Sequence, residues 1–377
     1  MRFPEFNGEW KSITLGEICK LQTGSKDTQD KIQDGKYPFY VRSNTIEKID
    51  SYSFDEEAIL TSGDGAGVGK IYHLVNGKFD LHQRVYALTK FDTNFSIKFV
   101  YHFFSEKFYK RVMRLSAKNS VDSVRRDMIF KMKMPYPKIY EQNKISSFLT
   151  LLDDRINTQN KIIEELESLL QGFRQKLFSR ELKFTDNKGN DFPEWKEKKL
   201  GHYLKHKSVR NKSFEVIRVL SVSNSKGFIL QSEQFDNHRV ASKDVSNYKI
   251  VKKNDIAYNP SRINVGSIAT LKDFEEGIVS PMYVVFSLKN TLNLTFFENL
   301  ITTHLFKHLV KIGCSGSVRD SLNFEDLESF KLKLPTLNEQ IKIADFLISI
   351  TTKISSERKI LTEFENQKKY LLQNMFI

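Results

Sequence analysis

Residues 141–179 carry apolar side chains seven apart: Leu149, Ile156, Ile163, Leu170 and Leu177. A second series, Ile145, Leu152, Gln159, Leu166 and Phe173, is offset from it by three or four. Sustained over about five heptads, this pattern predicts a coiled-coil helix rather than an ordinary surface helix. Pro135 and Pro137 stand just upstream, where a helix has not yet begun. Residues 339–377 repeat the pattern, with Leu347, Ile354, Leu361, Lys368 and Met375 in one series and Ile343, Ile350, Glu357, Phe364 and Leu371 in the other. Each helix would extend roughly 58 Å at about 1.5 Å per residue. A stripe this narrow needs a partner, and the other copy is the natural one. The intervening segment leaves the end of the first helix and feeds the start of the second, so the pairing should be antiparallel. Its core would be Ile145, Leu149, Leu152, Ile156, Gln159, Ile163, Leu166 and Leu170 against Ile343, Leu347, Ile350, Ile354, Glu357, Leu361 and Phe364. Gln159 and Glu357 interrupt equivalent positions and are expected to meet as a polar layer that sets register.

The segments 12–134 and 198–334 read differently. Stretches 36–46, 82–89, 214–224 and 280–288 have strand character, and 96–115 and 294–312 look like helices with aromatic faces. Most of the 30 Phe residues are assigned to cores rather than to base-stacking platforms.

The chain is written twice. It opens with "FPEFNGEWKSITLGEICK" and restarts at 192 with "FPEWKEKKLGHYLK". Trp10, Lys11, Leu15 and Gly16 answer to Trp195, Lys196, Leu200 and Gly201, with Asn7, Gly8 and Glu9 read as an insertion before the first Trp. At an offset of 198, Gln142, Ile145, Phe148 and Leu149 answer to Gln340, Ile343, Phe346 and Leu347. A period this long means a duplicated domain, not a solenoid. The ends of the two copies are alike and the interiors have diverged, which suggests one frame carrying two different readers.

Composition narrows the function. The net charge is +13. Residues 101–150 hold eleven Lys and Arg against four Asp and Glu, and residues 201–250 hold nine against four, so these two windows account for twelve of the thirteen charges. Clustered cations fit a polyanion partner. No apolar run approaches the ~18 residues that span a bilayer, and the start has no signal-peptide pattern, so a cytoplasmic protein is expected. Cys19 and Cys314 can make neither a disulfide framework nor a zinc site of usual spacing.

Catalytic motifs fail on inspection. "GDGAGVGK" (63–70) has Asp64 and Ile71 where a phosphate loop needs Gly and Ser or Thr, and Val68 at the third glycine of a dinucleotide fingerprint. It reads as a tight turn between strands. "NPSR" (259–262) departs from the Asn-Pro-Pro-aromatic loop of adenine methyltransferases at Ser261 and Arg262. What recurs is side chains able to hold phosphates or read base edges. In the first copy these are Arg42, Ser43, Asn44, Lys70, His82, Gln83, Arg84, Lys118, Asn119, Ser120, Ser123, Arg125 and Arg126. In the second they are Ser223, Asn224, Asn259, Ser261, Arg262, Asn264, Ser317, Arg319 and Ser321.

The twin segments "MPYPKIYEQNKISSFL" and "KLPTLNEQIKIADFL", with "FPEWKEKKLG", "NPSRINVGSIA" and "GSVRDSL", resemble the specificity subunits of type I restriction–modification systems over essentially the whole chain. The resemblance implies an α+β fold in which two tandem mixed α/β target-recognition domains are joined by two long antiparallel coiled-coil helices with pseudo-twofold symmetry. The expected divisions are a first recognition domain at 1–140, a first spacer helix at 141–180, a second recognition domain at 181–336 and a second spacer helix at 337–377. It further implies a non-catalytic subunit that selects a bipartite, asymmetric target in double-stranded DNA. Such a subunit joins two methyltransferase subunits and, through them, two restriction/translocase subunits. S-adenosylmethionine, ATP and Mg would then sit on those partners and no cofactor on this chain. The first copy has "LTSGDG" where the second has "NPSR", so the two halves should read different bases. The expected location is the cytoplasm, at the nucleoid. Rival readings are a stand-alone bipartite DNA-binding regulator, a protein scaffold with incidental charge, and an enzyme with an unrecognised site.

Overall fold

A computed structural model describes residues 1–65, 67–116, 123–234, 244–315 and 321–376. The chain divides into two compact units: Met1–Ile162 with Glu357–Ile377, and Ile163–Ser356. Two long helices, α4 (Ile139–Ser179) and α9 (Leu337–Met375), each contribute one part to each unit.

In the first unit β1 (Lys11–Thr14) and α1 (Leu15–Ile18) lead into β2 (Lys20–Thr23), β3 (Tyr37–Tyr40), β4 (Ile46–Ile49) and β5 (Phe54–Asp55). They are followed by β6 (Ala58–Ser62), β7 (Tyr72–Val75), β8 (Lys78–Leu81) and β9 (Val85–Thr89). Helices α2 (Ile97–Leu115) and α3 (Arg126–Phe130) precede β10 (Lys133–Tyr136) and the start of α4. The strands form an antiparallel sheet of order β2-β9-β6-β7, a second sheet β4-β3-β8-β5 with β3 and β8 parallel, and the ribbon β1-β10. The aromatic face of α2, including Phe99, Phe103, Phe104 and Phe108, is buried in the main core with Leu15, Ile59 and Leu88.

The second unit repeats the plan. It contains β11 (Lys196–Lys199), β12 (Leu204–Lys207), β13 (Leu220–Ser223), β14 (Gly227–Leu230) and α5 (Gln231–Gln234), then β15 (Lys249–Lys252), β16 (Ile256–Tyr258), β17 (Ile268–Thr270), β18 (Glu276–Val279) and β19 (Val284–Leu288). Helices α6 (Leu294–Leu300), α7 (His304–Ser315) and α8 (Phe324–Ser329) lead to β20 (Lys331–Leu334). Its four-stranded sheet, β12-β19-β16-β17, has the strand order of β2-β9-β6-β7, and the ribbon β11-β20 answers to β1-β10.

The repeated letters turn out to be joints between domain and helix. Gln142 is 1% exposed; its Nε2 donates to Pro137 O at 2.9 Å and Asn94 O at 3.3 Å, and its Oε1 accepts from Ser96 N at 3.0 Å. Gln340 makes the same three bonds: to Pro335 O at 3.0 Å, to Thr291 O at 3.4 Å, and from Asn293 N at 2.8 Å. The indole of Trp10 donates to Glu141 at 3.3 Å, and that of Trp195 to Glu339 at 3.0 Å. The Leu-Gly pair is explained by close approach. A Cβ on Gly16 would stand 2.4 Å from the Phe130 ring, and one on Gly201 would stand 2.9 Å from the Glu328 side chain.

One sequence equivalence is corrected. Phe3 packs edge-on against Phe148 with ring centroids 5.8 Å apart, and Phe184 packs at 5.5 Å on Phe346, the counterpart of Phe148. The partner of Phe3 across the repeat is therefore Phe184, not Phe192. The second copy carries a longer approach to its Trp, including a turn in which Asp186 accepts hydrogen bonds from the backbone of Lys188 and Asn190. Asn7-Gly8-Glu9 is thus no insertion.

The two long helices run antiparallel within each unit. In the first, Asp153 pairs with Lys368, Arg155 lies 5.8 Å over the Phe364 ring, and Gln159 Nε2 donates to the backbone and carboxylate of Glu357. Falling numbers on α4 thus meet rising numbers on α9. Gln159 and Glu357 occupy the same position of the repeat and are each 7% exposed. In the second unit Phe173 meets Phe346 at 5.1 Å. Ile145, Leu149, Leu152, Ile163, Ile343, Leu347 and Ile354 are buried; Ile156, Leu166, Leu170, Ile350, Leu361 and Phe364 are half-buried.

The stretch 294–312 is not one helix. It breaks at 301–303, where Thr303 Oγ1 accepts from Phe306 N at 3.2 Å and caps α7. The strands are also shorter than the apolar runs suggested, since 41–45 and 214–218 are loops. Both cysteines are buried, and burial pushes the Cys19 thiol up to about 12.

Two predictions follow from these contacts. Gln142→Leu and Gln340→Leu each leave a buried backbone N–H and two carbonyls without their partner, so each should destabilise its own unit by about 1–3 kcal/mol; hydrogen exchange resolved by peptide should localise the loss to that unit. His102, buried in α2 and 3.9 Å from Asp153, has its pKa lowered to about 4, chiefly by desolvation and against the pull of that carboxylate. The folded state therefore resists a proton that the unfolded chain accepts near 6.5. Its contribution is complete above pH 6.5 and is lost between there and about pH 4, a change of roughly 3 kcal/mol. Urea titrations across that window should show the slope, and His102→Gln should flatten it by that share, leaving the smaller same-direction shifts of His73 and His82.

Candidate nucleic-acid interface

In the first unit the turns after β3, β6 and β8 converge with the approach to α3. Asp64, in the turn after β6, holds two arginines: Arg42 Nη1 lies 3.2 Å from Oδ1 and Arg84 Nε lies 3.7 Å from Oδ2. The backbone of Asp64 bridges to Ser123, Val124 N donates to Gly63 O at 2.7 Å, and Gly63 N donates to Arg84 O at 2.7 Å. Ser62 Oγ donates to Asp64 O at 2.8 Å. The strand sheet therefore fixes the carboxylate, and the carboxylate aims two guanidinium groups whose side chains remain 43% and 66% exposed.

Beneath them sits His82, 2% exposed. Its Nδ1 accepts from Arg84 N at 3.0 Å, so the proton of the neutral ring is on Nε2, which lies 3.9 Å from Asp27 and has no hydrogen-bond partner among the described residues. Burial, reinforced by Arg42, lowers its pKa. Gln83 Nε2 donates to Asp27 at 3.1 Å.

Other predicted residues are engaged elsewhere. Lys70 lies 4.9 Å over the Tyr109 ring, Arg126 lies 5.8 Å over Phe130, and Arg125 precedes α3 as its N-cap. Ser43 Oγ donates to Thr45 O, and Asn44 is exposed. Lys118, Asn119 and Ser120 lie outside the described residues.

The second unit builds a cleft of 420 Å³ at the matching end of its sheet. Ser223 and Asn224 reach it from the β13–β14 turn, and Asn259 and Arg262 from the turn after β16, the strand that answers to β6. Asn259 Oδ1 accepts from Ser261 N at 3.1 Å, and Ser267 Oγ donates to Val222 O at 3.0 Å, so the two turns are tied together. Ser223 Oγ accepts from the N–H groups of Ser225 and Lys226, each at 3.4 Å. Ser261, Arg262 and Asn264 are exposed, and Leu322 N donates to Pro260 O, which brings the backbone beside Ser321 to the same turn. Ser317 and Arg319 lie outside the described residues. Sequence reading missed Asp64 and Asp27 in the first unit and Gln231, Met282 and Tyr283 in the second cleft. Asp64 stood within a glycine-rich run that invited a phosphate-loop reading, and nothing local marks a carboxylate as an aiming group.

The family model described as "Type I restriction modification DNA specificity domain" matches residues 7–168 and again residues 192–366. The chain belongs to that family. It is 25% identical over 406 aligned residues to the type I restriction enzyme MjaVIII specificity subunit of Methanocaldococcus jannaschii, covering 99% of this chain and 92% of that one. It is 28% identical over 167 residues to the EcoDI specificity subunit of Escherichia coli, a match that spans 44% of this chain and only 36% of that protein. Its fold is similar to the crystal structure of the S subunit from M. genitalium, with a TM-score of 0.64, 17% identity and coverage of 100% and 99%. As a type I specificity subunit the chain has the α+β, two-domain organisation with paired long helices expected of it. Members of this family are DNA-recognition subunits and are generally not catalytic. No helix among the described residues is long and apolar enough to cross a membrane.

The Asp64 geometry generates a test. Asp64→Asn releases both arginines while adding no new contact. Affinity for arbitrary duplex should rise slightly, because one negative charge is gone, whereas discrimination between bases should fall by about 1–3 kcal/mol. Selection from randomised duplexes measures both at a fixed salt concentration.

Proposed function

We propose that this chain directs a type I restriction–modification complex to an asymmetric bipartite sequence in double-stranded DNA, one half-site per unit. The carrying observation is that two sheets of the same strand order present different polar ends: the Arg42–Asp64–Arg84 fork in one, the Asn224–Asn259–Arg262 cleft in the other. Guanidinium and amide groups on such turns suit major-groove base edges, and the surrounding Lys70, Arg125, Arg126, Ser43, Asn44, Gln83, Ser123, Ser261, Asn264 and Ser321 suit phosphates or neighbouring bases, while His82, buried beneath the fork, supports the Arg84 backbone instead of meeting DNA.

The recognition domains are taken as 1–140 and 181–336, and the spacers as 141–180 and 337–377. The long helices, whose heptads tolerate little change of length, set the gap between half-sites. They also offer exposed faces to two methyltransferase subunits, which in turn carry two restriction/translocase subunits. S-adenosylmethionine, ATP and Mg belong to those partners. The chain itself performs no chemistry, and works in the cytoplasm at the nucleoid.

Methylome sequencing of cells with and without this gene tests the proposal. One bipartite adenine-methylated motif should disappear with the gene. Arg262→Ala should relax a single position of one half-site by about 1–3 kcal/mol and leave the other half-site untouched. An unchanged methylation pattern on deletion would overturn the reading.

A further inference from the structure

Strand pairing aligns the polar ends of the two sheets residue by residue. β2 and β9 set Lys20 opposite Thr89 and Thr23 opposite Tyr86; β12 and β19 set Leu204 opposite Leu288 and Lys207 opposite Val285. Thr89 therefore answers to Leu288, and the two residues just ahead of the strand, Gln83 and Arg84, answer to Met282 and Tyr283. The neighbouring strands agree, with Ser62 opposite Val85 in β6 and Tyr258 opposite Val284 in β16. Two positions beyond, Asp64 answers to Pro260, so the carboxylate of the fork has no counterpart at that place.

The aligned pair changes character between the copies. Gln83 and Arg84 are exposed and polar, and each is held by a carboxylate, Asp27 or Asp64. In the second unit Tyr283 is fastened down: Lys249 Nζ donates to its carbonyl at 2.6 Å, and Val222 N donates to its hydroxyl at 3.4 Å. Met282 is left 67% exposed. It lines the cleft together with Asn224, Asn259 and Arg262, while the other aliphatic side chain of that lining, Val222, is buried. Val265, on the same turn as Arg262, is exposed too, whereas Val68 in the corresponding Val-Gly run of the first unit is buried. The second recognition end thus adds an apolar rim that the first one lacks.

A single exposed apolar group on a surface needs no explanation; one that rims a polar cleft beside a guanidinium limits what the cleft can read. A thioether offers no strong partner to the donors and acceptors of base edges, and a polar edge pressed against it loses water without compensation. The C5-methyl of thymine is the apolar feature of the major groove, and the unbranched, polarisable methionine chain adapts to such a group. We infer that Met282 is a specificity-determining residue that reads the C5-methyl of a thymine, in the half-site contacted by Arg262. At the aligned place the first unit offers Gln83 and Arg84, whose groups suit adenine and guanine. The two half-sites therefore differ in kind at this register: hydrogen-bonded edges in one, a methyl group in the other. The inference rests on the function proposed above and names the base that the second cleft takes.

Duplexes carrying the methylated motif, with each thymine replaced in turn by uracil, test this, because uracil keeps the hydrogen-bonding edge and lacks only the methyl. The full chain is used, in complex with the methyltransferase subunit of its own system. One thymine should respond, its replacement weakening binding about fourfold at fixed salt, the worth of one methyl-sized group taken out of water. That thymine should lie in the half-site that Arg262→Ala relaxes. Met282→Ala should bind the thymine and uracil duplexes alike, Met282→Leu should keep most of the difference, and Met282→Gln should shift the preference at that position toward adenine. Selectivity at the other half-site should be the same in all three variants, which separates lost reading from lost folding. Uracil sensitivity that survives Met282→Ala, or that Met282→Leu loses equally, would overturn the inference, as would a motif in which no thymine responds or the responding one lies in the other half-site. A methylated motif that does not depend on this gene would instead overturn the function on which the inference stands.

Discussion

A single buried amide decides where each long helix begins. Gln142 and Gln340 each satisfy both donors and their acceptor against the backbone just ahead of the helix and the backbone of a domain loop. Such a group is directional as well as stabilising, because in a dry site every misplaced partner costs more than it would in water. The loops it grips, 94–96 and 291–293, lead directly into α2 and α6, whose aromatic faces fill the two cores. The amide therefore ties the start of the helix to the core of the domain. The Trp–Glu bond beside it and the glycine pressed against the short helix ahead of the ribbon's second strand, α3 or α8, complete a joint that both copies share.

With the joint held constant, the far end of each sheet is free to change. The turn after β6 carries an aspartate that organises two arginines; the turn after β16 carries an asparagine that folds its own turn and leaves an arginine open. These are different electrostatic surfaces on equivalent strands. A carboxylate-held guanidinium is preorganised, while an open one gains its order from what it binds. This is how one frame can present two different polar surfaces.

Much of the frame was legible because helix periodicity and duplication are one-dimensional signals. The heptads located α4 and α9, and Gln159 facing Glu357 followed from their matching places in the repeat. Letters misled where contact geometry matters. Phe-Pro-Glu at 192 imitates the opening of the chain, yet the ring contact made by Phe3 is made in the second copy by Phe184. The apolar run 294–312 looked continuous because hydrophobicity does not register that Thr303 prefers to cap a new helix. Among the candidate site residues, Arg42 and Arg84 were visible as cations in loops, but their common carboxylate was not, since Asp64 is distant from both in sequence.

What the sequence determined by itself is the duplicated plan, the two long helices and their antiparallel sense, because these depend on spacing along one chain and on which ends a linker can join. What only the tertiary structure decided is why the repeated letters recur and which polar residues act together. Gln142, Trp10 and Gly16 are separated by up to 132 positions, and their roles exist only once a sheet, a ribbon and a helix start are packed side by side. Hydrogen bonds and close approaches are properties of distance in space, and distance along the chain carries almost no information about them.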